Sequence, residues 1–246
     1  MKPLRNLTAC TLLLTASLLN PAHADDYVRE ADAYLEKGEA KAAVIQLKNA
    51  LQENPANIEA RLMLGRIYLQ AGDGASAEKE FERAKKLNAA KSYWELNLAK
   101  AYLMQQKYQE ILDSISEEGG SSIDSRLSNL LIRGDAHLGL RQYKEARDTY
   151  SKVKQLNPQS QEAVLGLIIT DIAENHRAEA LNSLDGLLAD HPDNTAALVM
   201  RGELNLQSGK AELARADFDK ALTLQPKNVR ALLGRAQIYL AGGQID

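Results

Sequence analysis

The chain has 246 residues, of which 45% are hydrophobic and 5% aromatic, with a formal net charge of −3. The apolar content suffices for a core, while the scarcity of aromatics speaks against a surface that stacks bases or sugars. A mildly acidic chain with evenly mixed charge offers no phosphate-neutralising patch, which argues against nucleic-acid binding.

Residues 1–24 read as a secretory signal peptide. Lys2 and Arg5 form a positive start, Leu12-Leu13-Leu14-Thr15-Ala16-Ser17-Leu18-Leu19 an apolar run, and Ala22-His23-Ala24 a small-residue cleavage site before Asp25. Removing this leader takes the net charge from −3 to −5, because it holds two bases and no acid. The apolar run falls short of the ~20 residues needed to span a membrane. No later segment is long and apolar enough, so a soluble mature protein is expected. Leu7-Thr8-Ala9-Cys10 is similar to a lipobox, but a lipobox follows the apolar run and here the run follows the cysteine. A lipid anchor at Cys10 is therefore not expected. Cys10 is the one cysteine, so cleavage leaves no disulfide or thiol chemistry.

Past the leader the sequence repeats. Pro158, Pro192 and Pro226 are spaced by 34 residues, and 34 on from Pro55 stands Ala89, in a local setting like that of Pro158. A fixed period of this size marks a stacked helical array. Ending each unit two residues after its proline gives 24–57, 58–91, 92–126, 127–160, 161–194 and 195–228, with a half unit at 229–246. Position 8 is small in most units (Ala31, Gly65, Ala99, Gly134, Gly202, Ala236), as is position 20 (Ala43, Ala77, Ala146, Ala180, Ala214). Small residues belong where two helices of one unit cross closely. Position 24 is large: Leu47, Phe81, Tyr150, Leu184, Phe218. Gly38, Gly72, Gly209 and Gly243 at position 15 mark the turn from first to second helix. The prolines at position 32 cannot continue the second helix and end it.

The third unit is irregular. Its second helix is short and runs into Glu117-Glu118-Gly119-Gly120-Ser121-Ser122, where one extra residue enters. A lengthened surface loop is expected there, with a flexible joint between a front group (25–126) and a rear group (127–246) as the other reading. Trp94 is expected to pack. The half unit leaves Val229, Leu232, Leu233, Ile238 and Leu240 without a following helix. The expectation is a chain that continues, or an end that associates with something.

Leu64-Gly65…Tyr68…Gly72…Ala77…Phe81…Ala84 and Gly202…Gly209…Ala214…Phe218…Ala221…Pro226 resemble the tetratricopeptide repeat, and the likeness runs from residue 24 to the end. The resemblance implies an all-α fold, a right-handed superhelical solenoid of antiparallel helix pairs, whose concave surface holds a protein or peptide. Residues 33–51 and Leu64-Gly65-Arg66-Ile67-Tyr68-Leu69 further resemble the opening of the tetratricopeptide-repeat lipoproteins of exosortase (PEP-CTERM) exopolysaccharide systems in Gram-negative bacteria. This chain departs from them in its misplaced lipobox and its fewer repeats. That likeness implies a periplasmic location, with an outer-membrane lipoprotein as the alternative.

By the same resemblance, the first helix of each unit lines the groove through positions 2, 5, 9, 12 and 13. Position 5 gives Leu62, Leu96, Leu131 and Leu165; position 12 gives Leu69, Leu103, Leu138 and Ile172; position 9 between them gives Arg66, Lys100, Asp135 and Ile169. Two apolar rows thus flank a row of mixed charge. They serve either as partner anchors or as helix-packing core. Chaperone-tail readers of this family hold a carboxylate with groove lysines and asparagines; position 5 here is Val or Leu and position 9 has no Asn, so that role is not expected.

Nothing has enzymatic spacing. His137, His176 and His191 pair with no other histidine or cysteine at ligand spacing, and there is no G-x-S-x-G or glycine-rich phosphate loop. The expectation is a non-catalytic scaffold with no cofactor and no metal. A polysaccharide-binding module, with Tyr93 the one groove aromatic, and a structural segment of a longer array are the alternatives.

Overall fold

A computed structural model describes residues 21–117 and 122–241. Cys10, the leader's apolar run, Gly119, Gly120 and Gly243 lie outside them. Ala22-His23-Ala24 falls within the first helix, where Ala24 is buried.

Thirteen helices and no strand occur among the described residues. They are α1 Pro21–Glu36, α2 Ala40–Glu53, α3 Ile58–Gln70, α4 Gly74–Lys86, α5 Lys91–Met104, α6 Tyr108–Ser114, α7 Ile123–Gly139, α8 Tyr143–Leu156, α9 Gln161–Ala173, α10 Arg177–Asp190, α11 Thr195–Gln207, α12 Ala211–Leu224 and α13 Val229–Ala241. Each odd helix pairs with the even helix after it, and each even helix packs on the next odd one. Successive odd helices also touch directly, α3 on α5, α5 on α7, α7 on α9 and α11 on α13, whereas successive even helices make no comparable contact. The odd helices therefore line the inner side of the array and the even ones form its outer side.

The first turn of every unit is one device repeated. Position 15 is left-handed in all six: Gly38, Gly72 and Gly209 at φ 73–78°, and Gln106, Arg141 and Asn175 at φ 58–64°. The following N–H reaches back to position 11, as in Glu39 to Tyr34 O (2.8 Å), Asp73 to Tyr68 O (2.8 Å) and Lys107 to Tyr102 O (2.9 Å). These bonds satisfy carbonyls that a helix end otherwise orphans. Three units do this with a side chain in a region that costs an L-residue about 1–2 kcal/mol, so the turn is set by the array and not by glycine alone.

The second turn comes in two forms. Proline forbids helical backbone just before it, and Asn54, Asn157, His191 and Gln225 are accordingly extended, with φ between −138° and −130°. Ala89 stands where the second unit lacks its proline, and the setting is not like that of Pro158 after all. Asn88 turns left-handed at φ 62°, and the Ala89 N–H closes back on Ala84 O at 3.0 Å. The next helix then starts at Lys91, without a side-chain cap. After each proline turn an Asn or Ser caps the next helix instead: Asn57, Ser160, Asn194 and Asn228 accept from the N–H three residues on, at 2.9–3.2 Å. Such a cap contributes about 1 kcal/mol.

The core is a row of knobs in sockets. Phe81, Tyr150 and Phe218 are almost fully buried. A Cβ on Gly65, Gly134 or Gly202 would stand 2.6–2.7 Å from the ring of its own unit's knob, closer than packing allows. Gly166 and Gly234, in the first helix of the next unit, crowd Tyr150 and Phe218 from the other side. Tyr150 and Phe218 are thus clasped between two glycine-lined helices, while Phe81 has a glycine on its own unit's side alone; burying such a ring contributes roughly 1.5–3 kcal/mol. Ion pairs bridge the same layers. Arg61 and Glu80 meet at 2.7 Å with both side chains buried, and Arg201 meets Asp217 at 2.6 Å.

The third unit departs from this plan. The helix α6 has seven residues, while α7 begins at Ile123, four before the unit boundary at 127, and so carries an extra turn. Ile111 takes the place of the small residue and Ile115 that of the aromatic knob, both buried. Arg133 donates to the carbonyls of Leu112 (3.0 Å) and Ile115 (2.5 Å), which the truncated helix leaves free. Trp94 does pack: it is half-buried, its indole N–H reaches Ala89 O at 3.1 Å, and Lys85 lies over its ring. Units three and four remain joined by contacts of α5 and α6 with α7. At the far end, Val229, Leu233 and Leu240 of α13 are exposed.

Candidate functional site

The inner helices present one solvent-facing stripe. Position 9 is exposed at Arg66, Lys100, Asp135 and Ile169, one residue on each of α3, α5, α7 and α9. Positions 8 and 12 beside it are buried or half-buried on these helices, so position 9 is the exposed member of each.

The two apolar rows exist, but most of their surface is engaged. Leu62 is buried at 7% exposure and belongs to the core shared with Phe81 and Leu98, so the expectation that it lines an open groove is corrected. Leu96, Leu131 and Leu165 at position 5 are half-buried, as are Leu69, Leu103, Leu138 and Ile172 at position 12. Leu69, Leu96 and Leu103 pack on the core around Tyr102, Leu131 on that around Leu130, and Leu165 and Ile172 on that around Ile168. These leucines are the shoulders of the concave face, each showing one edge to solvent.

Free apolar surface comes from elsewhere on α5. Tyr93 and Met104, at positions 2 and 13, are 59% and 50% exposed and lie on the same stripe as Lys100. Met104 falls at groove position 13, which the resemblance implied, but was not singled out as a site residue. The signal for it was available: it lies four residues after Lys100, on one helical face. Tyr93 is the one large exposed aromatic among the described residues, which leaves little for a sugar to stack on.

Charge grades along the stripe. Arg66 and Lys100 make no ion pair among the described residues. Asp135 accepts a 2.6 Å hydrogen bond from the hydroxyl of Tyr150, whose ring is the buried knob of the unit. The Asp135 rim is exposed, yet protein crowds the carboxyl from most sides. This desolvation lifts its pKa above the usual carboxylate range, and the tyrosine bond opposes the lift only in part. Burial, with the Asp135 charge beside it, pushes the Tyr150 hydroxyl well above the ordinary tyrosine range. Further back, Glu203 is neutralised by Arg230 at 2.6 Å. The front of the stripe is therefore cationic, its middle holds one carboxylate, and Ile169 follows it.

Asp171, Glu174 and His176 bring three possible metal ligands together at a first turn on α9, but Arg147 pairs with both acids, at 2.9 Å to Asp171, and occupies the place a cation would take. His137 is half-buried and within 2.7 Å of Gln142, His176 is an exposed turn residue, and His191 ends α10. No helix among the described residues is long and apolar enough to cross a membrane.

Three family models, each described as tetratricopeptide repeat, match residues 34–97, residues 128–160, and residues 165–229 with 206–246. No curated protein sequence matches the chain. Among solved structures, a tetratricopeptide repeat protein from Parabacteroides merdae superposes with a TM-score of 0.75 at 21% identity, covering 91% of this chain and 88% of that one. PilW, described as a widely conserved type IV pilus biogenesis factor, gives a TM-score of 0.62 at 14% identity over 85% of this chain and 97% of its own. Pseudomonas aeruginosa pilF gives 0.59 at 18% identity, over 88% and 98%. The chain belongs to the tetratricopeptide-repeat family, and its fold is an all-α helical repeat solenoid.

Proposed function

We propose that this protein is a non-catalytic scaffold of the cell envelope that holds an extended or helical segment of a partner protein against its concave face. The observation that carries this reading is the continuous stripe Arg66, Lys100, Asp135, Ile169, exposed on four successive inner helices and shouldered by half-buried leucines. Exposed side chains on a rigid, close-packed wall lose little on binding, and apolar edges beside them supply contact area. Arg66 and Lys100, without ion-pair partners among the described residues, favour an acidic group on the partner at the front of the groove. The signal-peptide reading of residues 1–24 supports a periplasmic site of action. The likeness of the first two units to exosortase-system lipoproteins supports a place in an exopolysaccharide or protein-sorting machine.

The test is capture from an envelope extract with crosslinking, using the wild-type chain, a concave variant (Arg66→Glu, Lys100→Glu, Ile169→Lys) and an outer-face variant (Ile45→Lys, Leu213→Lys). A partner retained by the outer-face variant and lost by the concave one is the expected result. Equal capture by all three excludes the concave face as the binding surface.

A further inference from the structure

A pocket lies beside the irregular third unit, and its lining includes residues of the extra turn of α7. The extra turn of α7 overhangs the start of α5, and between the two helix ends lies a cavity of about 360 Å³. Lys91, Ser92, Glu95 and Leu96 line it from α5; Asp124, Ser125, Ser128 and Asn129 line it from α7. Its size falls within the ~300–1,000 Å³ of small-ligand pockets. It opens at one rim of the concave face, since Leu96 and Ser128 stand at positions 5 and 2 of their units.

The lining has a chemical bias. Glu95 is 7% exposed, and its Oε1, shut off from solvent, makes no well-directed hydrogen bond. Its counter-charge is the Lys91 ammonium at 2.7 Å, on a side chain 56% exposed and free to swing away. Asp124 adds a second, exposed carboxylate, and no ion pair holds it among the described residues. Three serine hydroxyls and the oxygen of the Asn129 amide are further hydrogen-bond acceptors by type. A buried carboxylate with poorly directed pairing gains from any donor that brings both charge and direction, and a guanidinium does this better than an ammonium.

We propose that this pocket takes a basic side chain, arginine before lysine, from the peptide bound in the concave face, with Glu95 and Asp124 as its acceptors and Lys91 displaced. The proposal rests on the groove reading above and adds a second recognition element. The partner would carry an acidic group toward Arg66 and Lys100 and a basic residue toward the junction of α5 and α7.

The experiment is a nuclear magnetic resonance titration of the full, isotope-labelled chain with three capped pentapeptides at millimolar concentration, Leu-Ser-X-Leu-Ser with X arginine, norleucine or glutamate. The arginine peptide is expected to shift the amides of Ser92, Glu95, Ser125 and Ser128. It should bind at least about fivefold more tightly than the norleucine peptide, an advantage that fades with salt. Glu95→Gln should abolish that preference without changing norleucine affinity, and Asp124→Asn, at an exposed site, should reduce it. Shifts along the stripe with none at the pocket, or equal affinity for arginine and norleucine, would overturn the pocket and leave the groove standing. No shift anywhere with any peptide would count against both.

Discussion

The sixth unit and the third are built to the same plan, and they show what the plan needs. In the sixth, Phe218 is clasped between Gly202 and Gly234, and Arg201 at position 7 ties α11 to Asp217 of α12 and Asp185 of α10. In the third, the aromatic knob is gone, Ile115 fills its place from beyond the helix end, and α6 stops after seven residues. Arg133, at position 7 of the fourth unit, then keeps only a long 3.9 Å ion pair with Glu117 and spends its close contacts on the loose carbonyls of Leu112 and Ile115. The same arginine position thus serves as a cross-layer ion pair in one place and as a helix cap in the other. The array tolerates a damaged unit because each layer is held by its neighbours, and a pocket lies beside α5 where the extra turn of α7 begins.

The comparison can be broken in a graded series of variants. Phe81→Ala or Phe218→Ala should lower unfolding free energy by about 3–5 kcal/mol. Ile115→Ala, with less side chain to lose, should cost less and mainly open units three and four; urea unfolding with hydrogen exchange reads both. Arg133→Met should cost about 1–3 kcal/mol, because it strands two helix-end carbonyls, with faster exchange confined to α6 and the start of α7. Ala89→Pro is the sharpest case. The repeat pattern alone recommends it, yet the structure predicts a loss of about 1–3 kcal/mol, since Asn88 must leave its left-handed turn and the Ala89 bond to Ala84 disappears. A rise in melting temperature for Ala89→Pro would show that the second unit is free to take the proline form of its fellows. Arg141→Gly should raise stability by about 0.5–1 kcal/mol by relieving a left-handed side chain, whereas Gly72→Ala should lower it by a similar amount.

The smallest effects concern pH, and they differ in sign. Hydrogen bonding from Lys152 holds the Glu117 carboxyl below the usual carboxylate range, despite some opposing desolvation. That group stabilises the fold above its unfolded pKa, and the contribution is lost as pH falls. Asp135 is raised in the folded state, so its contribution is present below the unfolded pKa and lost as pH rises through the folded value. Relative to wild type, Glu117→Gln should therefore weaken and Asp135→Asn should strengthen the protein as pH climbs from roughly 3 to 6. Urea midpoints across that range test both slopes.

Most of the fold was legible in the residues. Position 8, 15, 20, 24 and 32 residues recur in phase, and Gly65, Gly134 and Gly202 against their rings, the buried alanines of position 20 and the left-handed Gly38, Gly72 and Gly209 sit where their size or backbone freedom is needed. The caps at position 34 were equally legible, as Asn57, Ser160, Asn194 and Asn228, but small polar residues after a proline turn draw less notice than the proline. What a one-unit pattern cannot express is register between units. The early start of α7, the knob Ile115 beyond the end of α6 and the left-handed Asn88 each arise where one unit departs from the pattern and its neighbour adjusts. The site was legible in part for the same reason. The alternation of apolar and charged rows located the inner face, but exposure depends on how closely the next helix stands, so Leu62 went into the core while Met104, at groove position 13, stands exposed.

The central claim is that the concave stripe touches the partner. The most direct measurement places a photo-crosslinking amino acid singly at Arg66, Lys100, Asp135 and Ile169, and at Ile45 and Leu213 on the outer side, in source cells. Crosslinks to one common protein from the four inner positions, and none from the two outer ones, are what the account predicts. Crosslinks to that protein from Ile45 and Leu213 alone would contradict it.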